Sequence, residues 1–150
     1  MRPHQWVKNV LVALPSVADH SWHPAPVAVA FGCFCLCSSS MYLLNDVLDA
    51  DHDRGHPRKR SRPVASGAVR DTDAVILAIV LAVIAFYAST FFSWRLGIVI
   101  VGYLTLASVY TLWLKHLLMV DVVTLAILYG LRVIGGSAVT GWPPWPARRC

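Results

Sequence analysis

The stretch APVAVAFGCFCLCSSSMYLLNDVLDADHDRGHPRKRSRP, residues 25–63, passes from an apolar segment directly into the densest charge of the chain. Residues 25–44 have the length and composition of a helix that crosses the hydrocarbon core of a bilayer, which takes about 20 apolar residues. Four of the eight acidic residues of the chain follow within eight positions, and a basic run, RKRSR, comes next. The stretch therefore predicts a membrane-spanning helix that ends in a charged surface segment.

The composition of the whole chain agrees with this interpretation. Of its 150 residues, 57% are hydrophobic and only 14% are charged, whereas charged residues make up about 25% of soluble domains. A soluble fold of this size could not bury so much apolar surface. The net charge is +5, and the basic residues lie beside apolar segments. In such places they set topology or contact lipid headgroups and phosphates. We expect an integral membrane protein with the bilayer and a lipid as partners, and no nucleic acid.

Three later segments also have the length of a membrane span, roughly residues 74–92, 96–114 and 117–139. The N-terminal stretch, residues 7–18, is marginal, and either a short tilted span or an interfacial helix fits it. The predicted fold is all-α, a polytopic transmembrane helix bundle with about five spans. The long connection at residues 45–73 is rich in Arg and Lys, so the positive-inside rule places it in the cytoplasm of a multi-pass plasma-membrane protein.

Three of the clustered aspartates are predicted to share one helix face. If the helix continues past Asn45, a rotation of about 100° per residue places them within an arc of about 60° and turns Asp51 away. Carboxylates this close repel one another unless a cation neutralises them, and hard oxygen ligands suit Mg²⁺, which also binds substrate phosphates. The predicted metal ligands are Asp46, Asp49 and Asp53. The alternative is a solvated helix end whose aspartates balance the nearby arginines.

The basic run supplies charge of the opposite sign. Lys59, Arg60 and Arg62 can bind phosphate oxygens, and Arg favours bidentate contacts; for each of them a purely topogenic role is the alternative. Pro63 and Gly67 predict a shaped turn after the run. Arg132 falls inside a predicted span, where a charge is costly, so we expect it to pair with an acid or a substrate phosphate.

These motifs resemble a known family. NDVLDADHD, residues 45–53, fits the NDxxDxxxD motif of the UbiA superfamily of membrane prenyltransferases, and RSRPVASG, residues 60–67, resembles the continuation of that motif. The segments RPHQWVKN at residues 2–9 and DRGHPRKRSRPVASG at residues 53–67 look like the branch that joins decaprenyl phosphate to phosphoribosyl pyrophosphate. The resemblance runs from residue 2 to about residue 139.

The resemblance implies roles for particular residues. Asn45 would join the three aspartates in a first Mg²⁺–diphosphate site, where Asp46, Asp49 and Asp53 would be catalytic. Phosphate contacts would come from five basic residues: Lys8, Lys59, Arg60, Arg62 and Lys115. For Lys115 a snorkelling lysine is an equal alternative, and for Lys8 a topogenic charge.

Members of that family are larger bundles with a second Asp-rich motif in their C-terminal half, and these 150 residues carry only the first. The resemblance therefore implies an incomplete copy of a larger bundle. Residues 1–140 would form the N-terminal part of a UbiA-like transmembrane domain. Residues 141–150, GWPPWPARRC, would be a truncated or aberrant tail, because their prolines prevent a helix from continuing.

Three functions remain open from the sequence. The first is Mg²⁺-dependent transfer of phosphoribose from phosphoribosyl pyrophosphate to a polyprenyl phosphate, with release of pyrophosphate. The second is transfer of an isoprenoid from its diphosphate to an aromatic acceptor, which uses the same metal–diphosphate chemistry. The third is an inactive membrane fragment.

Overall fold

The structure, a computed structural model, describes residues 3–18, 24–57, 59–113 and 118–141, and all of its regular elements are helical. The chain begins with a 3₁₀ helix over Pro3–Ala13 that continues into α1, Leu14–Ala18. Two helices follow around the charged stretch, α2 at Pro24–Leu48 and α3 at Ala50–Arg54. The remaining helices are α4 at Asp71–Phe92, α5 at Trp94–Leu112 and α6 at Leu118–Thr140.

Four helices in the described part of the chain are long and apolar enough to cross a membrane: α2, α4, α5 and the Val122–Thr140 part of α6. They coincide with the four long spans predicted from the sequence. The N-terminal stretch forms a shorter apolar helix over Lys8–Ala18. The prediction of an all-α transmembrane bundle is confirmed, and four long helices with one shorter N-terminal apolar helix in the described residues agree roughly with about five spans.

Helix α2 is the most enclosed of the four long helices, because α4, α5, α6 and the N-terminal 3₁₀ helix all pack against it. Its Phe34 is fully buried and meets Tyr103 of α5 edge-to-face, with ring centroids 5.4 Å apart. Leu96 and Ile100 of α5 complete the same core. By contrast, α4 keeps much of its apolar surface exposed, including Ile76 and Ile79, as expected of a helix that faces lipid.

Two neighbouring glycines allow the N-terminal segment and α2 to approach α6 closely. A methyl group at Gly136 would overlap the backbone carbonyl of Val12 and lie 3.2 Å from Pro15, and one at Gly135 would lie 2.5 Å from the Phe34 ring. Small residues permit such close backbone approach between membrane helices. The contact at Gly136 holds the N-terminal 3₁₀ helix, which carries Lys8 and Asn9, against α6.

Candidate active site

The helical backbone continues past the end of α2 into the acidic segment. The amide of Asp49 donates to the carbonyl of Asn45 at 3.0 Å, and the amide of Asp53 donates to the carbonyl of Asp49 at 2.8 Å. These bonds span four residues, as in an α-helix. The side chain of Asp53 is only 2% exposed, whereas that of Asp51 is 96% exposed and pairs with Arg54 at 2.6 Å. The predicted helical continuation is therefore present, and Asp51 points away from the other aspartates.

Arg62 joins two of the aspartates across the turn that follows. Its guanidinium lies 2.5 Å from a carboxylate oxygen of Asp53 and 3.2 Å from one of Asp46. Lys59 reaches the second oxygen of Asp53 at 3.8 Å, and the Asn45 amide donates to Asp49 at 3.0 Å. We call these residues the carboxylate cluster: Asn45, Asp46, Asp49, Asp53, Lys59 and Arg62.

The turn that carries Arg62 is held in place by its own backbone and by a small apolar core. The amide of Ser66 donates to the carbonyl of Arg62 at 2.8 Å, and Gly67 adopts a φ of +77° that favours glycine. Val64 is buried against Ala50 and Ala74. The predicted shaped turn is thus present, and it fixes the arginine beside the aspartates.

The ligands of a metal ion in this cluster remain a prediction. Among the residues that the structure describes, no group of three or more His, Cys, Asp or Glu side chains is arranged to hold a metal ion. Asp53 is paired with Arg62 and Lys59, while Asp46 and Asp49 line a common cavity. Two carboxylates fit Mg²⁺ by donor chemistry, because Mg²⁺ usually takes one or two carboxylates and completes its shell with waters and substrate phosphates.

That cavity, which we call the main cavity because it lies among the helices of the bundle, has a volume of about 390 Å³ and is lined by α2, α5, α6 and the 3₁₀ helix. Its wall carries charges of both signs, from Asp46 and Asp49 and from Lys8 and Arg132. Four tyrosines line it as well: Tyr42, Tyr103, Tyr110 and Tyr129. The cavity can therefore hold a metal–phosphate group, further anionic oxygens and an aromatic or apolar body.

A second cavity, of about 500 Å³, adjoins the other side of the acidic segment. Asp49 lines both cavities, and the second is also lined by His52, Asp53 and Lys59. Leu48 and Leu112 give it an apolar edge. The three predicted aspartates are therefore divided between two cavities, and Asp49 is the aspartate that lines both.

Arg132 is buried in α6, with 7% of its surface exposed. Its Nε donates to the side-chain oxygen of Asn9 at 2.7 Å, its Nη1 to the carbonyl of Leu128 at 2.8 Å and its Nη2 to the hydroxyl of Tyr103 at 2.9 Å. The guanidinium also lies 5.0 Å from the ring centroid of Tyr103 and 5.4 Å from that of Tyr129. The side chains of Arg132, Asn9 and Tyr103 form what we call the Arg132 network.

Arg132 was expected to pair with an acid or a substrate phosphate, and this stays a prediction; within the described residues, the hydrogen-bond partners of Arg132 are neutral. Asn9 and Tyr103 are held in turn by α2. The Asn9 amide donates to Sγ of Cys35 at 3.2 Å, and the Tyr103 hydroxyl lies 3.3 Å from that of Ser38. Within the described part of the chain, a positive charge is therefore held inside the bundle by neutral dipoles.

The other predicted phosphate contacts fall in different places. Lys8 lines the main cavity, with its ammonium 6.0 Å from the centroid of Tyr129. Lys59 lines the second cavity, and Arg60 is exposed in the turn and lines neither. Lys115 lies outside the described residues. Arg62 contacts the aspartates themselves, so a contact with a phosphate would have to share its guanidinium with them.

Sequence reasoning missed Asn9 and the four tyrosines of the main cavity. They are scattered over the 3₁₀ helix, α2, α5 and α6, and nothing in their spacing along the chain brings them together. The available signal was chemical: polar side chains inside segments otherwise apolar on all sides face protein or a cavity, not lipid.

The chain is similar to two curated relatives that are named decaprenyl-phosphate phosphoribosyltransferase. It is 43% identical to the Mycolicibacterium smegmatis protein over 114 residues, which cover 71% of this chain and 36% of the relative. It is 38% identical to the Mycobacterium tuberculosis protein over 148 residues, which cover 93% of this chain and 49% of the relative. The chain thus spans at most about half the length of these relatives.

The fold also matches a solved structure. The apo structure of a UbiA homologue from Aeropyrum pernix K1 superposes with a TM-score of 0.75 at 22% identity, covering 94% of this chain and 52% of that one. In addition, residues 9–148 match the sequence profile of the UbiA prenyltransferase family. The chain therefore belongs to the UbiA prenyltransferase family.

Proposed function

We propose that the protein containing these residues is a membrane transferase that joins phosphoribose from phosphoribosyl pyrophosphate to a polyprenyl phosphate and releases pyrophosphate. The observation that carries the proposal is the main cavity, where Asp46 and Asp49 share one space with Lys8 and Arg132. A transferase that handles two phosphorylated substrates needs a site for a metal–diphosphate and positive charge for a second anion, and this cavity has groups of both kinds. Similarity to two proteins named for this activity supports the choice.

In this reaction an oxygen of the lipid phosphate attacks C1 of the ribose, and the bond from C1 to pyrophosphate breaks, so that pyrophosphate leaves with the electron pair. Asp46 and Asp49, with Asn45, would hold Mg²⁺, which supplies positive charge to the departing pyrophosphate. Arg62 keeps Asp46 and Asp53 in place through its two ion pairs. The lipid phosphate is already an anion, so the attack needs no strong general base.

The isoprenoid chain of the lipid would contact the apolar surfaces of the bundle. Met41, Leu125 and Leu128 line the main cavity beside its charged groups, and α4 and α6 carry exposed apolar side chains. The isoprenoid would lie along such helix faces with its phosphate in the cavity. The charged turn after α2 would face the cytoplasm, where phosphoribosyl pyrophosphate is found, and the membrane would be the plasma membrane.

A second candidate is transfer of an isoprenoid from its diphosphate to an aromatic acceptor. The observation in its favour is the set of four tyrosines around the main cavity, since aromatic side chains pack well against an aromatic ring. The same carboxylates would then assist departure of an allylic diphosphate. Both reactions would use the same metal–diphosphate site, so assays with different substrates are needed to distinguish them.

The test measures lipid-soluble product. Membranes that contain the chain are incubated with Mg²⁺, decaprenyl phosphate and ribose-labelled phosphoribosyl pyrophosphate, and the organic extract is counted. A parallel reaction contains a polyprenyl diphosphate and labelled 4-hydroxybenzoate. Because the chain spans about half of the Mycobacterium tuberculosis relative, each assay is repeated with a chimera in which residues 9–141 replace the matching part of that protein.

Label in the lipid extract that depends on decaprenyl phosphate supports the proposal, whether from the chain or from the chimera only. Label only from 4-hydroxybenzoate supports the second candidate instead. A membrane-inserted chimera that yields neither product would refute both and favour an inactive fragment.

A further inference from the structure

The reaction proposed above assigns the Arg132 network no role in holding the metal–diphosphate group. Within the described residues, Arg132 uses three of its N–H groups on Asn9, Leu128 and Tyr103. A guanidinium has five N–H groups, so two are left for another acceptor. The residue also lines the main cavity, from which a ligand can reach those two groups.

The electrostatics of the position favour an anionic ligand. A buried cation in a membrane span is costly unless an anion compensates it, and the three hydrogen-bond acceptors of Arg132 are neutral. Lys8 brings a second positive charge to the same cavity, and both cations lie against the ring of Tyr129, at 6.0 Å and 5.4 Å from its centroid. Two like charges held around one ring repel each other, and an anion that contacts both would attract each of them and offset this repulsion.

We propose that Arg132 and Lys8 bind the phosphate monoester of the lipid acceptor, at a subsite separate from the metal–diphosphate site at Asp46 and Asp49. The inference rests on the proposed function and adds the location of the second substrate. The planar fork of Arg132 matches the oxygens of a phosphate. Its place between α5 and α6, next to Leu128, allows a headgroup to be bound while its chain remains among apolar side chains.

Asn9 and Tyr103 have a defined role in this subsite as positioning residues. Each orients one edge of the guanidinium, and each is itself anchored to α2, through Cys35 and Ser38. Because both are neutral, they fix the direction of the positive charge without cancelling it. A carboxylate at the position of Asn9 would instead form an ion pair with Arg132 and remove the charge available to a ligand.

The experiment measures binding without catalysis. The 150-residue chain, purified in detergent with EDTA, is titrated with decaprenyl phosphate, with uncharged decaprenol and with sodium phosphate, and the thermal unfolding midpoint is followed. We expect decaprenyl phosphate to stabilise the chain more than either control. Arg132→Gln should weaken this binding by about tenfold or more, the value of hydrogen bonds to a charged group.

Two further variants separate binding from folding. Asn9→Asp keeps the size of the side chain and its contact with Arg132 Nε, and it should lose decaprenyl phosphate binding as Arg132→Gln does. Arg95→Gln is the matched control. Arg95 is exposed, lies at the N-terminal end of α5 and lines neither cavity. This variant should bind decaprenyl phosphate as tightly as the unchanged chain does. If Arg132→Gln does not fold, Asn9→Asp decides the question.

Unchanged decaprenyl phosphate binding in folded Arg132→Gln or Asn9→Asp would overturn the inference, as would equal stabilisation by decaprenol or by sodium phosphate. Transfer activity is not needed for any of these measurements, and Mg²⁺ is absent from all of them. Failure of the binding test and failure of the transfer test are therefore distinguishable.

Discussion

The two charged groups of the main cavity are built in different ways. The carboxylate cluster lies at the end of α2, where Arg62 and Lys59 give its aspartates ion pairs. The Arg132 network lies within the bundle, and its arginine is surrounded by an amide, a hydroxyl, a backbone carbonyl and two aromatic faces. The aspartates of the first group have ion pairs, whereas Arg132, within the residues that the structure describes, has neutral hydrogen-bond partners.

The two groups differ in how much of their charge is available to a ligand. In the carboxylate cluster, a metal ion must compete with Arg62 for Asp46, so the site is held in shape before any substrate arrives. In the Arg132 network, the described hydrogen-bond partners are neutral and do not cancel the positive charge. The guanidinium therefore attracts an anionic ligand more strongly than a paired cation would. Under our proposal, such a cavity would bind a metal–diphosphate and a phosphate monoester at separate places.

The largest expected effect comes from the carboxylate cluster. Asp46→Ala should lower the rate of phosphoribosyl transfer by about 100-fold or more, the cost of removing a group that stabilises developing charge. The fold should persist, because Arg62 keeps its shorter ion pair with Asp53. The labelled-lipid assay measures the rate in the chain or chimera that shows activity.

Asp51→Ala is the control for this prediction, because Asp51 is 96% exposed and pairs with Arg54. Its rate should stay within about twofold of the unchanged protein, as expected for a surface ion pair. Equal rates for Asp46→Ala and the unchanged protein would refute the metal role of the cluster.

The two regions also differ in how far the sequence predicts them. Asp46, Asp49 and Asp53 are spaced by three and four residues, so the period of one helix was enough to predict a common face for them, and Arg62 contacts both Asp46 and Asp53. The ion pairs with Arg62 span only nine and sixteen residues. The four long spans could also be predicted from the sequence, since length and apolar composition are enough to identify a membrane-spanning helix.

The Arg132 network could not be predicted in the same way. Its hydrogen bond to Asn9 joins residues 123 positions apart, and that to Tyr103 joins residues 29 apart on different helices. Such contacts depend on how the helices pack, and in particular on the close approach at Gly136. The sequence indicated that Arg132 needed an acid or a substrate phosphate as its partner, but it did not indicate the neutral dipoles and two aromatic rings that surround the guanidinium.

Gly136 offers a way to disturb one region and spare the other. Gly136→Ala should lower the free energy of unfolding by about 2–3 kcal/mol, because the added methyl overlaps the backbone of Val12 and overpacking of this kind is costly. The displaced 3₁₀ helix carries Asn9 and Lys8, so binding of decaprenyl phosphate should weaken as well. Thermal unfolding in detergent, with and without this lipid, measures both effects.

Gly130→Ala is the matched control in the same helix, since a methyl group there would meet nothing within 4 Å. Its unfolding midpoint should stay the same or rise, because Ala favours a helix over Gly by up to about 1 kcal/mol. If Gly136→Ala were as stable as Gly130→Ala, the close contact between the 3₁₀ helix and α6 would be wrong.

Arg62 tests the ion pairs of the other region. Arg62→Gln should lower the free energy of unfolding by about 1–2 kcal/mol, because it leaves the buried Asp53 without its nearest cation. Arg54→Gln, which removes a cation from an exposed pair, should cost less than about 1 kcal/mol. Thermal unfolding of the two variants compares them, and a smaller loss for Arg62→Gln than for Arg54→Gln would contradict this account of the cluster.

Tyr103 provides the smallest and most selective effect. Tyr103→Phe removes the hydroxyl that accepts from Arg132 Nη2 but keeps the ring that meets Phe34 and faces the guanidinium. One hydrogen bond is worth about 1 kcal/mol, or about fivefold in affinity. Decaprenyl phosphate binding should weaken by that factor, while Tyr87→Phe, at an exposed position of α4, should change nothing.

The Tyr103 variant also separates orientation of the charge from its presence. Since Arg132 itself remains, the loss of affinity should be smaller than that of Arg132→Gln, and the unfolding midpoint without lipid should move little. A loss as large as that of Arg132→Gln would mean that the hydroxyl, and not the guanidinium, holds the phosphate. No loss at all would mean that Asn9 and the two aromatic rings are enough to orient the arginine, which would leave the subsite in place but remove Tyr103 from its positioning residues.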